Sequence, residues 1–358
     1  MRQLLLTLLL LLPASILPAA EPQPPAAPAA SSPTIEVHPA SPLVDMHFWV
    51  RKLASSTGEV PSMPGLATAV ETLRELDSQL GRPSLPLAPV WGAVDLLLFR
   101  VSTAAELSTA AAALPETLTL PMVPPLPRSG IVRLAESYVL LEKPFLEQVW
   151  PWHQKMIERA AETVRVDLLP AAGEVFGDLQ RFLGASLPAQ PIQLHLVAEA
   201  PRPGGVTFVA GTGSGLCLVG ADAGVGSQWL EIVVHESIHA LDLNGESSLD
   251  VLRQRLGTLE PRLPAREAWN VSHAVMFAQA AGTVRRVLAP HHRDYGDVSG
   301  VYTRLPKGAE VVAPAWQAWM RGEISRDAAI DRIVDGFRAK EKGDPKAAPI
   351  PALNDGSR

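Results

Sequence analysis

The sequence has one cysteine in 358 residues, Cys217, so no internal disulfide can hold the fold together and stability has to come from burial. With no cysteine close behind the N-terminal apolar run, a lipid anchor also lacks its acceptor thiol. Excess positive charge is missing: the formal net charge is -6, which leaves nothing to neutralise a phosphate backbone and excludes nucleic acid as a partner. The run Leu4 to Leu12 holds eight leucines and one threonine, well short of the roughly 20 apolar residues that a bilayer-spanning helix needs. Aromatic residues are sparse at 5 %, while prolines number 34 and crowd toward both ends, so the ends read as extended and the middle as globular.

What is present begins with a targeting pattern. Arg2 precedes the apolar run, and Pro13 and the small pair Ala19-Ala20 follow it. Residues 1–20 therefore read as a signal peptide cleaved after Ala19 or Ala20, which implies export to the periplasm or beyond and no membrane span after cleavage; an uncleaved anchor is the rival. Residues 21–42, mostly Pro, Ala, Ser and Glu, read as a disordered linker, because they cannot bury enough apolar surface to offset the entropy of ordering. Residues 339–358 read as a disordered tail.

Between these ends, residues 43–190 form an expected helical region. Helix-length apolar patterns run from Leu66 to Leu80, Ser102 to Leu114 and Arg133 to Glu142, and a longer one from Val149 to Leu183 should break or kink at Leu169-Pro170. Residues 191–338 change character: Ile192–Val197 alternates, and Val206–Ala210 and Leu216–Val219 are short apolar runs, so three strands are expected. The expected fold class is α+β. The glycine-rich Ala210–Gly215 has no following lysine and leads into a strand, so it reads as a hairpin turn and not a phosphate cradle. Cys217, inside an apolar run, reads as a small buried hydrophobe. The clusters Asp45-Met46-His47 and Trp150–His153 have no ligand-like spacing and read as structural.

The chemistry lies in Gln228–Leu243, which has helical apolar spacing and contains His235-Glu236-Ser237-Ile238-His239. Histidines four apart on a helix project from one face a turn apart, the geometry with which two imidazoles grip one tetrahedral metal ion. Glu236 then points beside the metal, where it can take a proton from water and hand it to a leaving group. Over Ile192–Ala289 the sequence resembles the zincin metallopeptidases, whose signature is this HExxH helix packed beneath a mixed sheet; the Trp269-then-His273 helix also resembles one in exported bacterial proteins. The resemblance implies that His235 and His239 bind Zn2+, that Glu236 activates water, and that Val206–Val219 supplies a strand along which an extended peptide aligns.

Catalytic zinc takes three protein ligands, so a third is sought downstream. The metzincin subtype would need Gly at 242 and His at 245, where this chain has Asp242 and Gly245. Helix signals span Pro264 to about Leu288, and Trp269, His273, Met276, Phe277, Ala280 and Val284 define one apolar stripe on it with a single histidine. His273 is the first choice for the third ligand and Glu267 the alternative; Glu260 is disfavoured by Pro261 after it. Asp242 falls on the ligand face and is a candidate to orient an imidazole. Tyr302 is the candidate for stabilising an oxyanion, with Tyr295, His291 and His292 as alternatives from the same stretch. The expected function is an exported zinc metallopeptidase acting on a peptide or protein. The rivals are zinc hydrolysis of a non-peptide amide or ester, and a catalytically inactive zincin-like envelope binding protein.

Overall fold

The computed structural model describes residues 35–79, 97–118, 125–187, 190–201, 204–209, 215–224, 226–242 and 247–338. The expected signal peptide, the expected tail and the centre of the glycine-rich turn lie outside the described residues. The fold is α+β. Strand β1 (Ile35–Pro39) leads through helices α1 (Pro42–Ser55), α2 (Leu66–Gln79) and α3 (Ala104–Ala112) to a ribbon of β2 (Thr117–Leu118) and β3 (Leu126–Pro127), and on to α4 (Arg128–Gln148), α5 (Trp150–Thr163) and α6 (Ala172–Leu183). The chain then lays down β4 (Ile192–Val197), β5 (Gly205–Val209) and β6 (Gly215–Gly220). After these come α7 (Ser227–Asp242), α8 (Ser248–Gly257), α9 (Ala265–Thr283), two single turns α10 (Tyr295–Val298) and α11 (Val301–Arg304), α12 (Ala313–Met320) and α13 (Arg326–Phe337).

Four strands form one mixed sheet in the order β1-β4-β6-β5, with β1, β4 and β6 parallel and β5 antiparallel to β6. Side chains alternate across it, as strand geometry requires. Cys217 and Val219 of β6, with Ile192, Leu194 and Leu196 of β4, enter a core built with α5 to α9, α12 and α13. Leu216 and Leu218 of β6, with Val206 and Phe208 of β5, enter a second core with α1 to α4. The sheet is thus the shared wall between two helical layers, and both faces are buried.

Two expected boundaries are corrected by this arrangement. Residues 35–39 belong to no tether: β1 pairs in parallel with β4 over Ile35↔Ile192 to Pro39↔Leu196, and Ile35 is buried. The Pro/Ala bias ends before Ile35, and Ile35-Glu-Val-His-Pro39 alternates enough to bury one face while its backbone is satisfied by β4. Nor does residue 190 divide two structural regions, since α5 and α6 pack in the same core as α7 and α9. The break expected at Leu169-Pro170 falls where proline dictates: α5 runs into a π-turn at Val164–Leu168 and a 3₁₀ turn at Leu169–Ala171 before α6 begins. At the C-terminal end, α12 and α13 are parted by a turn in which Gly322 has a positive φ of 76°.

The two N-terminal polar clusters meet in the interior. Asp45 of α1 is fully buried; its carboxylate accepts from Ala198 N at 2.6 Å and pairs with His153 Nδ1 at 2.6 Å, which fastens α1 and α5 to the end of β4. His47 Nδ1 lies 2.8 Å from the Tyr138 hydroxyl.

On the sheet, His195 stacks on its register partner His38 at 5.0 Å and meets Phe99 edge-on at 4.7 Å. Burial first, and His38 second, hold its imidazole down at about 4 against an ordinary 6.5. Because the folded value lies below the unfolded one, the stability from keeping this ring neutral is complete above about pH 6.5 and is lost as pH falls toward about 4, by at most about 1.4 kcal/mol per unit. His195→Phe should lose less stability than the wild type between about pH 7 and about pH 4.5 in urea unfolding. Equal losses would refute this account of the ring.

Candidate metal centre

Helix α7 is buried almost all round, with Leu230, Ile232, Val233, Val234, Ile238 and Leu241 in the core. Its β-branched run Ile232-Val233-Val234 has modest helix propensity, and burial of those side chains, at about 1.5–3 kcal/mol each, overrides it. Two contacts fix the helix on the sheet. Trp229 Nε1 donates to Gly220 O at 2.8 Å, and Gly215 lets the backbones close, since a Cβ there would stand 2.2 Å from Ala240 Cβ. Helix α9 crosses against α7 and brings Trp269, His273 and Phe277, at i, i+4 and i+8, to the same side.

The three histidines converge through their Nε2 atoms. His235 Nε2 lies 3.0 Å from His273 Nε2 and 3.1 Å from His239 Nε2. One ligand nitrogen from each of the three rings falls within 4.8 Å of those of the other two; His235 and His273 are buried and His239 is partly exposed. Rings hold this orientation by stacking: Phe277 lies flat on His235 with centroids 3.9 Å apart, and Trp269 lies 4.5 Å from His273 and 6.3 Å from His239. Glu267 is no member of the group.

A divalent ion fits this donor set. Tetrahedral bonds of about 2.0–2.1 Å to nitrogen set neighbouring nitrogens about 3.3 Å apart, near the 3.0 and 3.1 Å found here. A neutral imidazole carries one N–H, so three converging Nε2 edges turn at least some lone pairs on one another, and a cation satisfies them together. Burial drives all three rings toward that neutral form: His235 well below its ordinary value, with His239 and His273 as further causes; His273 likewise, with His239 the further cause; and His239 to about 4.

Glu236 is buried between α7 and the edge strand. Its Oε2 accepts from Thr207 Oγ1 at 2.7 Å, and the same hydroxyl lies 2.9 Å from its backbone carbonyl. Burial pushes its carboxyl up to about 8, with the Thr207 hydrogen bond acting the other way; a dication beside it would draw that value back down.

Three expectations at this site are corrected. Asp242 orients no imidazole, because its carboxylate is held by both guanidinium nitrogens of Arg253, at 2.7 and 2.9 Å, and by Ser247 Oγ at 2.8 Å. Tyr302 is not brought to the histidines. It fills the core with its hydroxyl buried and unbonded, its ring against Gly296 and its backbone against Gly308, and burial, then Glu231 and Asp297, hold its pKa well above the ordinary value. The span Val206–Val219 is two strands, of which β6 is interior and β5 is an edge of the sheet, with β1 at the opposite edge.

Of the other residues considered, His292 bonds Ser227 Oγ at 2.9 Å and Glu231 Oε2 at 2.6 Å inside the core. Tyr295 stacks on Phe277 at 6.2 Å and so stands behind the His235 ring. His291 and Glu260 are exposed. In the sequence Thr207 reads only as a member of the apolar run Val206–Ala210 and Gly205 only as the residue before it. No family model, curated protein or solved structure matches the chain. No helix of the described residues is long and apolar enough to cross a membrane.

Proposed function

We propose that this protein is an exported zinc-dependent hydrolase that cleaves peptide bonds. One observation carries the proposal: three imidazole Nε2 atoms meet at a point, and on the same helix turn a buried carboxylate faces the edge strand β5. His235, His239 and His273 would hold the ion, and three protein ligands leave a position open for chemistry. When bound, zinc supplies Lewis acidity, polarising a carbonyl and bringing the acidity of water near neutrality.

The chain's own residues do the rest. Glu236 takes a proton from water and returns it to the departing nitrogen, with its carboxyl held in place by the Thr207 hydroxyl. The outer edge of β5 offers backbone N–H and C=O groups to an extended peptide, which reads its shape through main-chain hydrogen bonds. Trp269, half-buried beside His239 and His273, gives the site an apolar wall. Asp242 and Arg253 brace the C-terminal end of α7 against α8.

The test is metal uptake with a measured consequence. Metal-free protein should take up one equivalent of zinc and melt at a higher temperature, a ligand held at a thousandfold excess over its Kd being worth about 4 kcal/mol. The loaded protein should then degrade fluorescein-labelled casein, and a chelator should stop it. Protein that binds no zinc would overturn the metal reading, and zinc-loaded protein inert toward casein would overturn the peptidase one.

A further inference from the structure

Strand β5 carries Gly205 and Thr207 two residues apart, hence on one face of the strand. That face is turned toward Glu236, and each residue meets a different part of its side chain. Thr207 Oγ1 is 2.7 Å from Oε2. A Cβ built on Gly205 would stand 2.7 Å from Oε1, 2.8 Å from Cγ and 2.9 Å from Cδ. One residue bonds the carboxyl and the other leaves the space it occupies. Gly205 does not have a positive φ, so its backbone makes no demand for glycine; the close approach does. Nor does strand geometry require a hydroxyl at 207, where valine would suit an extended backbone as well. On the adjoining strand Cys217 is the register partner of Thr207, and its Sγ lies 3.2 Å from the Glu236 carbonyl oxygen. The thiol thus secures the Glu236 main chain while the hydroxyl secures its carboxyl.

We propose that Gly205 and Thr207 are positioning residues which hold the Glu236 carboxyl beside the point where the three histidines meet and prevent it from becoming a fourth ligand. The inference rests on the reading of His235, His239, His273 and Glu236 as a hydrolytic metal centre. A glutamate side chain has three rotatable bonds, and next to a dication a loose carboxylate is drawn onto the metal, where it can no longer act as a base. A bond from the edge strand removes that freedom. A hydroxyl both donates and accepts, so the contact persists whether the carboxyl is ionised or carries a proton.

The experiment uses the zinc-loaded full chain and acetohydroxamate, a chelator whose hydroxyl proton needs an acceptor beside the metal. Calorimetry gives the acetohydroxamate Kd, and competition with a coloured chelator gives the zinc Kd. Thr207→Val should raise the acetohydroxamate Kd roughly tenfold, the loss of one hydrogen bond to a charged group, with zinc held at least as tightly as in the wild type. Thr207→Ser should return the Kd to within about twofold of the wild type, because the hydroxyl is restored. Gly205→Ala keeps the hydroxyl but fills the space, and should weaken acetohydroxamate to a similar degree; it carries the same expectation if the valine variant does not fold. Wild-type affinity in Thr207→Val or in folded Gly205→Ala, alongside loss of binding in Glu236→Gln, would overturn the positioning role and leave the metal centre standing. Wild-type affinity in Glu236→Gln, or no zinc in the wild type, would overturn the metal-centre reading and the inference with it.

Discussion

Replacing Glu236 with Gln should leave zinc affinity unchanged and lower casein hydrolysis by about a hundred- to ten-thousandfold, the usual contribution of a positioned general base. The amide matches the carboxylate in size, so the space beside Gly205 stays filled and Thr207 Oγ can still donate to the amide oxygen. What disappears is the ability to take a proton, since a neutral amide oxygen is far too weak a base. The metal point is untouched, because it is made by Nε2 atoms of other side chains. Measured together, zinc competition and hydrolysis separate the two roles. Turnover equal to the wild type in a zinc-loaded variant would take Glu236 out of the mechanism.

The parts of the site that the sequence discloses are those fixed by helical periodicity. His235 and His239 share a face of α7 because they are four residues apart, and Trp269, His273 and Phe277 share one of α9 for the same reason. Once the two helices pack, their stripes must meet. The parts it conceals depend on contacts between residues distant in the chain. Strand β1 is five residues long and is stabilised by pairing with β4, whose first residue is Ile192, so its local sequence looks like the end of a tether. Asp242 has the right helical phase to reach an imidazole, but Arg253 of α8 reaches it first with a bidentate pair that an imidazole cannot match. Tyr302 follows the ligand helix closely enough to suggest a role in catalysis, yet the turns at α10 and α11 send its ring into the core. Nothing local to Val206-Thr207-Phe208 marks the central hydroxyl as the partner of a glutamate 29 residues on.

Replacing His273 with Ala should weaken zinc binding by more than about a hundredfold, whereas Glu267→Ala should leave it within about twofold. Even partners that merely orient a ligand are worth about 10–100-fold in metal affinity, so a lost ligand must cost more. The geometry separates the two candidates. His273 Nε2 lies 3.0 Å from His235 Nε2, while Glu267, six residues earlier in the first turn of α9, points about 240° away around the helix. An acid in a first turn has its own reason to be there, since it complements the positive end of the helix dipole. Fold loss is a weak objection to the variant: His273 pays a desolvation cost for any charge it carries, and its ring is wedged between Trp269 and Phe277, which can close partly over a smaller side chain. His273→Asn, which keeps a polar side chain of smaller reach, should be as poor a zinc binder as the alanine variant if ligation is the role. Zinc affinity unmoved by both substitutions would mean that the third ligand lies elsewhere; loss in Glu267→Ala alone would transfer the role to that carboxylate.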